Sequence, residues 1–361
     1  MAEKYMKTIQ FETDGDIYHP LPLIGDGGKV WTQSNNTDET VTSVYYANGI
    51  WVASGSYYGL YYSTDGKSWT KSNMTNISFN SVYYGNGIWV AGGYTNNGLY
   101  YSIDGKSWTQ SNVTDIISLF VYYANGLWVA CSGNNGLYYS TDGKVWTQSN
   151  VTDKDINLVH YSNGLWVAGA SGSGLWYSTD GKNWTQSNIT SSTFRSIYYS
   201  NGIWVAGGYT NNGLYYSTDG KVWTQSNITS SYFNSIYYAN GLWVASSNGN
   251  GLYYSTDGKV WTQSNITDIK MGSVYYANGL WVSASSVRDG LYYSTDGMTW
   301  IQSNVARGAF NLVYYADGLW VAGAFRVGLY YSDSPDNNKI LQVVNGEWAM
   351  VALPNAEEVA Y

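Results

Sequence analysis

Cysteine, proline, histidine, arginine and charge in general are all scarce in this chain, and each shortage closes off a class of function. The single cysteine, Cys131, leaves no partner for an intrachain disulfide and excludes a cysteine-based metal cluster. It follows the Trp128 element where other copies carry Ser or Gly, which reads as a small buried strand residue. Only two histidines are present, His19 and His160, too few and too far apart in sequence for a transition-metal site. Charged residues make up 12% of the chain with a formal net charge of -8 and no Lys/Arg cluster, so attraction to nucleic acid or to an anionic membrane is not expected. Glu3, Lys4, Lys7, Glu12, Asp14 and Asp16 break up the first 20 residues, leaving no apolar run for a secretion signal or for membrane insertion. A cytoplasmic location follows, unless the chain leaves its cell without a cleaved signal, as in a phage particle. No Gly-rich phosphate loop, dinucleotide fingerprint or serine nucleophile elbow occurs, and no cofactor is expected.

What the chain has instead is 41 Gly, 38 Tyr and 18 Trp, a composition for pleated sheet and tight turns rather than long helices. An Asn-Gly-(Ile/Leu)-Trp-Val element, with Asp317-Gly318 in the last copy, recurs at Trp51, Trp89, Trp128, Trp166, Trp204, Trp243, Trp281 and Trp320, always 38 or 39 residues apart. A unit of that length cannot bury its own apolar face, whereas stacked units share one core. Within a unit, Thr42 to Tyr46, Ile50 to Ala53, Leu60 to Tyr62 and Lys67 to Thr70 read as four short strands, the first two joined by Asn48-Gly49. Asn-Gly between β-branched and aromatic runs is a strong hairpin signal, because both turn positions require positive φ.

The ends show how the units are arranged. The periodic region opens with Gly28 to Asn35, a fourth strand without the preceding three; the last copy holds three strands, Asn311 to Tyr331, and no fourth. A ring closed by its N-terminal strand requires this offset, and an open array does not. The predicted fold is all-β, an eight-bladed propeller of four-stranded antiparallel blades, closed by Val30 to Ser34 completing the last blade. It spans residues 29–334, with extensions 1–28 and 335–361, each reading as a short strand or hairpin.

The pattern Ser-x-Asp-Gly-x-x-Trp recurs from Ser63 to Trp69, Ser102 to Trp108, Ser140 to Trp146, Ser178 to Trp184, Ser217 to Trp223, Ser255 to Trp261 and Ser294 to Trp300. It resembles the Asp-box, or BNR repeat, of sialidases and other propellers. Asp65, Asp104, Asp142, Asp180, Asp219, Asp257 and Asp296 read as structural, each accepting hydrogen bonds from the backbone of its own hairpin while the Trp packs between sheets. The sialidase resemblance also implies three arginines against a substrate carboxylate, a Tyr nucleophile with an acidic partner, and an acid/base carboxylate. The four arginines, Arg195, Arg288, Arg307 and Arg326, all lie in the second half and match no such triad, and Glu39 is the only Glu of the repeat region. No catalytic residue is assigned. His160 takes the place of an inner-strand Tyr and reads as its packed substitute. Asn73, Asn112, Asn150, Asn188, Asn227 and Asn265 head Asn-x-(Ser/Thr) triplets and read as turn residues rather than glycan acceptors.

Hairpin reversal puts the Asn-Gly turns and Ser-x-Asp-Gly hairpins on one face, nearly alike in every copy. The loops between second and third strands, and the blade-to-blade links, fall on the other face and vary. Recognition is expected there. The candidate ligand-binding residues are Tyr57, Tyr58, Tyr94, Asn96, Asn97, Tyr209, Asn211, Asn212, Tyr232, Arg288, Asp289, Phe325 and Arg326: aromatic platforms with amides, carboxylates and guanidinium groups that suit a surface glycan or a protein. The similar loops at 92–98 and 207–213 suggest repeated weak sites and avidity. Residues Lys339 to Pro354 resemble small modules of phage and prophage tail proteins, which implies a virion or host-surface setting with the extensions joining another virion protein. A structural virion or scaffold component, and a weak sialidase-like hydrolase, are the alternatives.

Overall fold

A computed structural model of the chain describes residues 11–13, 16–18, 27–36, 39–57, 59–94, 97–209, 212–287, 289–333, 339–344 and 347–352. Eight four-stranded antiparallel sheets follow one another, and no helix occurs among the described residues. Blade 1 is typical: Thr40–Ala47, Ile50–Ser56, Gly59–Ser63 and Thr70–Lys71, hydrogen-bonded in that order. Blades 2 to 7 repeat it over 79–110, 117–148, 156–186, 193–225, 233–263 and 271–302. Asn48 (φ 52°) and Gly49 (φ 75°) make the first turn left-handed at both central positions, and this aligns Tyr46 with Trp51 across the hairpin.

Blade 8 takes its first three strands from Phe310–Ala316, Leu319–Ala324 and Gly328–Asp333, and its fourth from Thr32–Gln33. Thr32 pairs with Tyr331 and Gln33 with Tyr330, so the ring closes as the offset ends require. Closure extends beyond those pairs. Gly28 N–H donates to Ser332 Oγ at 2.8 Å and Trp31 Nε1 to Gly28 carbonyl at 3.0 Å. In blade 1 the same contacts lie within one hairpin, Gly66 N to Ser63 Oγ at 2.9 Å and Trp69 Nε1 to Gly66 O at 3.0 Å. An eighth hairpin is thus assembled from both ends of the repeat region, with Gly27 where the other copies have Asp. Lys67 and Asp333, 2.9 Å apart, tie this junction to blade 1.

Apolar side chains on the facing surfaces of adjacent sheets form the core. The second-strand tryptophans Trp51, Trp89, Trp128, Trp166, Trp204, Trp243, Trp281 and Trp320 are each exposed by 1% or less. Each takes a Tyr of its own blade on one side, as Tyr46 on Trp51 at 4.9 Å between centroids, and the edge of an inner-strand aromatic from the preceding blade, as Tyr45 on Trp89 at 6.2 Å and 84°. Such offset and edge-on packing suits the ring quadrupoles. On the outer side, Asn73 does not act as a turn residue: its Oδ1 accepts Trp108 N–H at 2.8 Å and its Nδ2 donates to Trp108 carbonyl at 3.1 Å. Asn112, Asn150, Asn188, Asn227 and Asn265 clamp the next blade in the same way. The sequence reading of these residues is therefore corrected: they join blades. Asn304 closes the cycle on Trp31 at 2.8 and 3.1 Å.

Among the described residues of the extensions, Phe11–Thr13 pairs with Asp16–Tyr18 and Lys339–Val344 with Glu347–Ala352.

Candidate functional site

The two faces of the ring differ in how their polar groups are used. On the turn face, Asp65 Oδ1 accepts the N–H groups of Lys67 and Ser68 and the Ser63 hydroxyl, each at 2.8 Å. Burial pushes this carboxyl up, but the three donors outweigh it and hold the group below the ordinary carboxylate range. Asp104, Asp142, Asp180, Asp219, Asp257 and Asp296 are held down by the same bonds. Oδ1 of each is spent on local structure. Lysines of seven hairpins lie over tyrosine rings of the preceding blade, as Lys106 over Tyr62 at 5.4 Å. Val145, Val222 and Val260 are exposed singly on these hairpins.

On the opposite face, backbone bonds anchor the variable loops to the blade links. Tyr57 N–H donates to Ser78 Oγ at 2.8 Å, and Tyr94 N–H to Ser78 carbonyl at 2.8 Å, so these two loops share one anchor. Strand-four glutamines hold the loops from outside: Gln110 Nε2 reaches Asn97 carbonyl at 3.1 Å, Gln225 reaches Asn212 at 3.0 Å and Gln302 reaches Asp289 at 2.8 Å. Asn97 and Asn212 turn their side-chain amides back onto the carbonyls of Tyr94 and Tyr209, which makes them loop-closing residues. Exposed aromatic surface remains at Tyr57 (71%), Tyr94 (41%) and Phe325 (48%). Arg326, in a left-handed conformation with φ 59°, lies 5.0 Å from the Phe325 ring. Tyr58, Asn96, Asn211 and Arg288 lie outside the described residues.

Tyr209 and Tyr232 meet edge to face at 5.5 Å and 72°. A residue not selected from the sequence completes this group: the Arg195 guanidinium lies over the Tyr209 ring, 3.9 Å from its centroid. Every innermost strand carries a β-bulge near its start, and Arg195 is the inserted residue between Phe194 and Ser196. Thr42, Asn80, Asn157 and Asn234 occupy the corresponding positions and bond the next blade's backbone at 2.7, 3.3, 3.0 and 2.8 Å. The signal was present in the sequence as Arg among Asn and Thr in aligned copies, but the bulge that gives the position its direction was not. On the preceding blade, Asp155 is half-buried, with Oδ1 inaccessible and without a hydrogen-bond partner among the described residues.

The axis of the ring is lined by a closed cycle of aromatics. Tyr45, Tyr83, Tyr122, His160, Tyr198, Tyr237, Tyr275 and Tyr314 follow one another at centroid distances of 4.5, 5.1, 5.8, 5.5, 5.1, 4.8 and 5.7 Å, and Tyr314 returns to Tyr45 at 5.7 Å. His160 fills the Tyr position, as the aligned copies indicate. Burial lowers its pKa to about 4. Burial and adjacent hydroxyls push the Tyr83 and Tyr237 phenols up. Cys131 is fully buried with its thiol pushed up by desolvation. Among the described residues no three His, Cys, Asp or Glu side chains gather as metal ligands.

No protein-family model matches the chain, and no curated protein matches it. Solved structures do. The computationally designed Ika8 protein aligns with a TM-score of 0.69 at 9% identity, covering 85% of this chain and all of that one. YCF48 bound to D1 peptide aligns at 0.57 and 15% identity over 88% of this chain and 100% of its own, and Saccharomyces cerevisiae Sqt1 at 0.65 and 9% over 86% and 100%. At these identities the likeness is one of fold, and the fold is the eight-bladed β-propeller that the sheet order displays.

Proposed function

We propose that this protein is a non-enzymatic recognition module that binds a surface glycan or a protein through its variable-loop face. One observation carries the reading: the differences between blades collect on a face whose loops are anchored by backbone hydrogen bonds and present Tyr57, Tyr94 and Phe325 to solvent, while on the opposite face Oδ1 of each Ser-x-Asp-Gly carboxylate is engaged in its own hairpin. A rigid scaffold with diverged loops is the usual arrangement for binding without catalysis. Glycoside hydrolysis asks for two carboxylates in different environments, and Asp155, the carboxyl pushed up by burial, lies in the field of Arg195 rather than beside a second acid. That a protein of this fold, YCF48, is solved with a D1 peptide supports a protein partner. A virion setting rests on the resemblance of Lys339 to Pro354 to tail-associated modules, with the extensions as the attachment to another virion protein.

The test is binding of the purified protein to a glycan array and, in parallel, to a random-peptide display library, each with a Tyr57→Ala/Tyr94→Ala double variant and a Tyr94→Ala/Tyr209→Ala double variant as controls. A reproducible hit on either, lost in one of the variants whose melting is unchanged, supports the reading. Hits that survive both variants place recognition elsewhere, and no hit on either shifts the reading to a structural component.

A further inference from the structure

We propose that the rim of blades 4 to 6 holds a binding site for a carboxylate that carries a hydrogen-bond donor beside it, with Arg195 as the anion-binding fork and Asp155 as the acceptor for that donor. The inference rests on the recognition reading and gives it a location and a ligand chemistry.

Arg195 is the one charged side chain on the eight innermost strands, in a chain of net charge -8. Arg195 sits at the same bulge position as Thr42, Asn80, Asn157 and Asn234, which spend their side chains on the next blade, whereas its guanidinium lies over Tyr209 of its own blade. Among the described residues Arg195 makes no hydrogen bond and no ion pair; it is exposed, with its guanidinium carbon over the Tyr209 ring, which Tyr232 supports from the side. A guanidinium held over a ring face has its N–H groups in its own plane, pointing outward to grip a carboxylate with two parallel bonds, and less side-chain entropy remains to be lost. Asp155 precedes the first strand of blade 4 in the position that Tyr232 takes in blade 6, with Arg195 between them on blade 5. The guanidinium acts on the Asp155 carboxyl through space without pairing with it, and the buried Oδ1 has no donor among the described residues. Oδ2 of the same carboxyl remains accessible, and it is this oxygen that accepts the ligand's donor, while the unpartnered Oδ1 leaves the carboxylate short of hydrogen bonds in the free protein. Two sources present the required chemistry: the C-terminal residue of a peptide, with its N–H beside the carboxylate, and an acidic sugar, with its hydroxyl.

The experiment is titration by NMR of the full chain with four probes: N-acetyl-dialanine, its C-terminal amide, glucuronate and glucose, on wild type, Arg195→Gln, Arg195→Lys and Asp155→Asn. The expected result is saturable shifts with one or both acids and none with the neutral counterparts. Arg195→Gln should weaken the acid about tenfold to a hundredfold, Arg195→Lys should recover part of that, and Asp155→Asn should weaken it severalfold. Preference for the dipeptide acid identifies a chain terminus as the source, and preference for glucuronate an acidic glycan. The site is overturned if the amide or glucose binds as well as its acid, if neither acid binds, or if Arg195→Gln with an unchanged melt binds as wild type does. Array or peptide hits that vanish in the Tyr57/Tyr94 variant but persist in Arg195→Gln would remove this site while leaving the recognition reading in place.

Discussion

His160 gives the aromatic cycle a titration that no tyrosine in it shares. Its ring lies 5.8 Å from Tyr122 and 5.5 Å from Tyr198 and meets Trp204 edge-on, so burial lowers its pKa from 6.5 to about 4. Between those values the unfolded chain carries a proton on this residue and the folded chain does not. The unfolded state therefore binds more protons, and stability that is complete above pH 6.5 falls as pH drops toward 4. At 1.36 kcal/mol per pH unit the full loss is roughly 3 kcal/mol, of which about 2.5 has occurred by pH 4.5. In His160→Tyr the term is gone, and the side chain fits a cycle whose other steps already accept Tyr beside Tyr at 4.5 to 5.7 Å. Other groups titrate near this range: burial raises the Asp155 carboxyl, and the Ser-x-Asp-Gly carboxylates, held below their ordinary value of 3.8, lose their contribution only as pH falls below it. Both chains contain these groups, so they cancel in the comparison. Urea unfolding of wild type and His160→Tyr at pH 7.5 and pH 4.5 should show wild type losing about 2.5 kcal/mol more than the variant across the interval. Equal losses would refute the assignment of a buried neutral imidazole.

Three further outcomes follow from the ring mechanics. Asn150→Ala removes both bonds to Trp184, 2.8 and 2.9 Å long, and should cost about 1–3 kcal/mol in chemical denaturation; a loss near zero would mean the clamp is redundant with core packing. Trp146→Ala, at a residue 4% exposed, should cost roughly 3–5 kcal/mol, and an unchanged melting profile would contradict its packing between blades. Deleting residues 1–35 removes Thr32–Gln33 and the Trp31 half of the eighth hairpin, and size-exclusion chromatography with light scattering should show association through the bared Gly328–Asp333 edge. A stable monomer would overturn the closure.

Backbone chemistry and period sufficed for the architecture. Asn48-Gly49 and its copies specify left-handed turns locally, Trp at every 38 or 39 residues marks one shared core, and the fourth strand stranded at Thr32 has no possible partner but the last blade. The hairpin role of Asp65 was legible for the same reason, since its donors Lys67 and Ser68 are two and three residues away. Tertiary structure decided what depends on residues that meet only when blades stack. Asn73 looks like a turn residue until Trp108 arrives beside it, and Asn304 finds Trp31 only after the ring has closed. Asn97 and Asn212 look like free amides in the sequence and prove to be loop closures, because the loops turn back on themselves. Arg195 shows the limit most clearly. Its residue type was visible, but a bulge reverses the side-chain alternation from which strand directions are read, and the same bulge position sends Asn157 and Asn234 across to the next blade while Arg195 lies on Tyr209, a choice made only once that ring is in place.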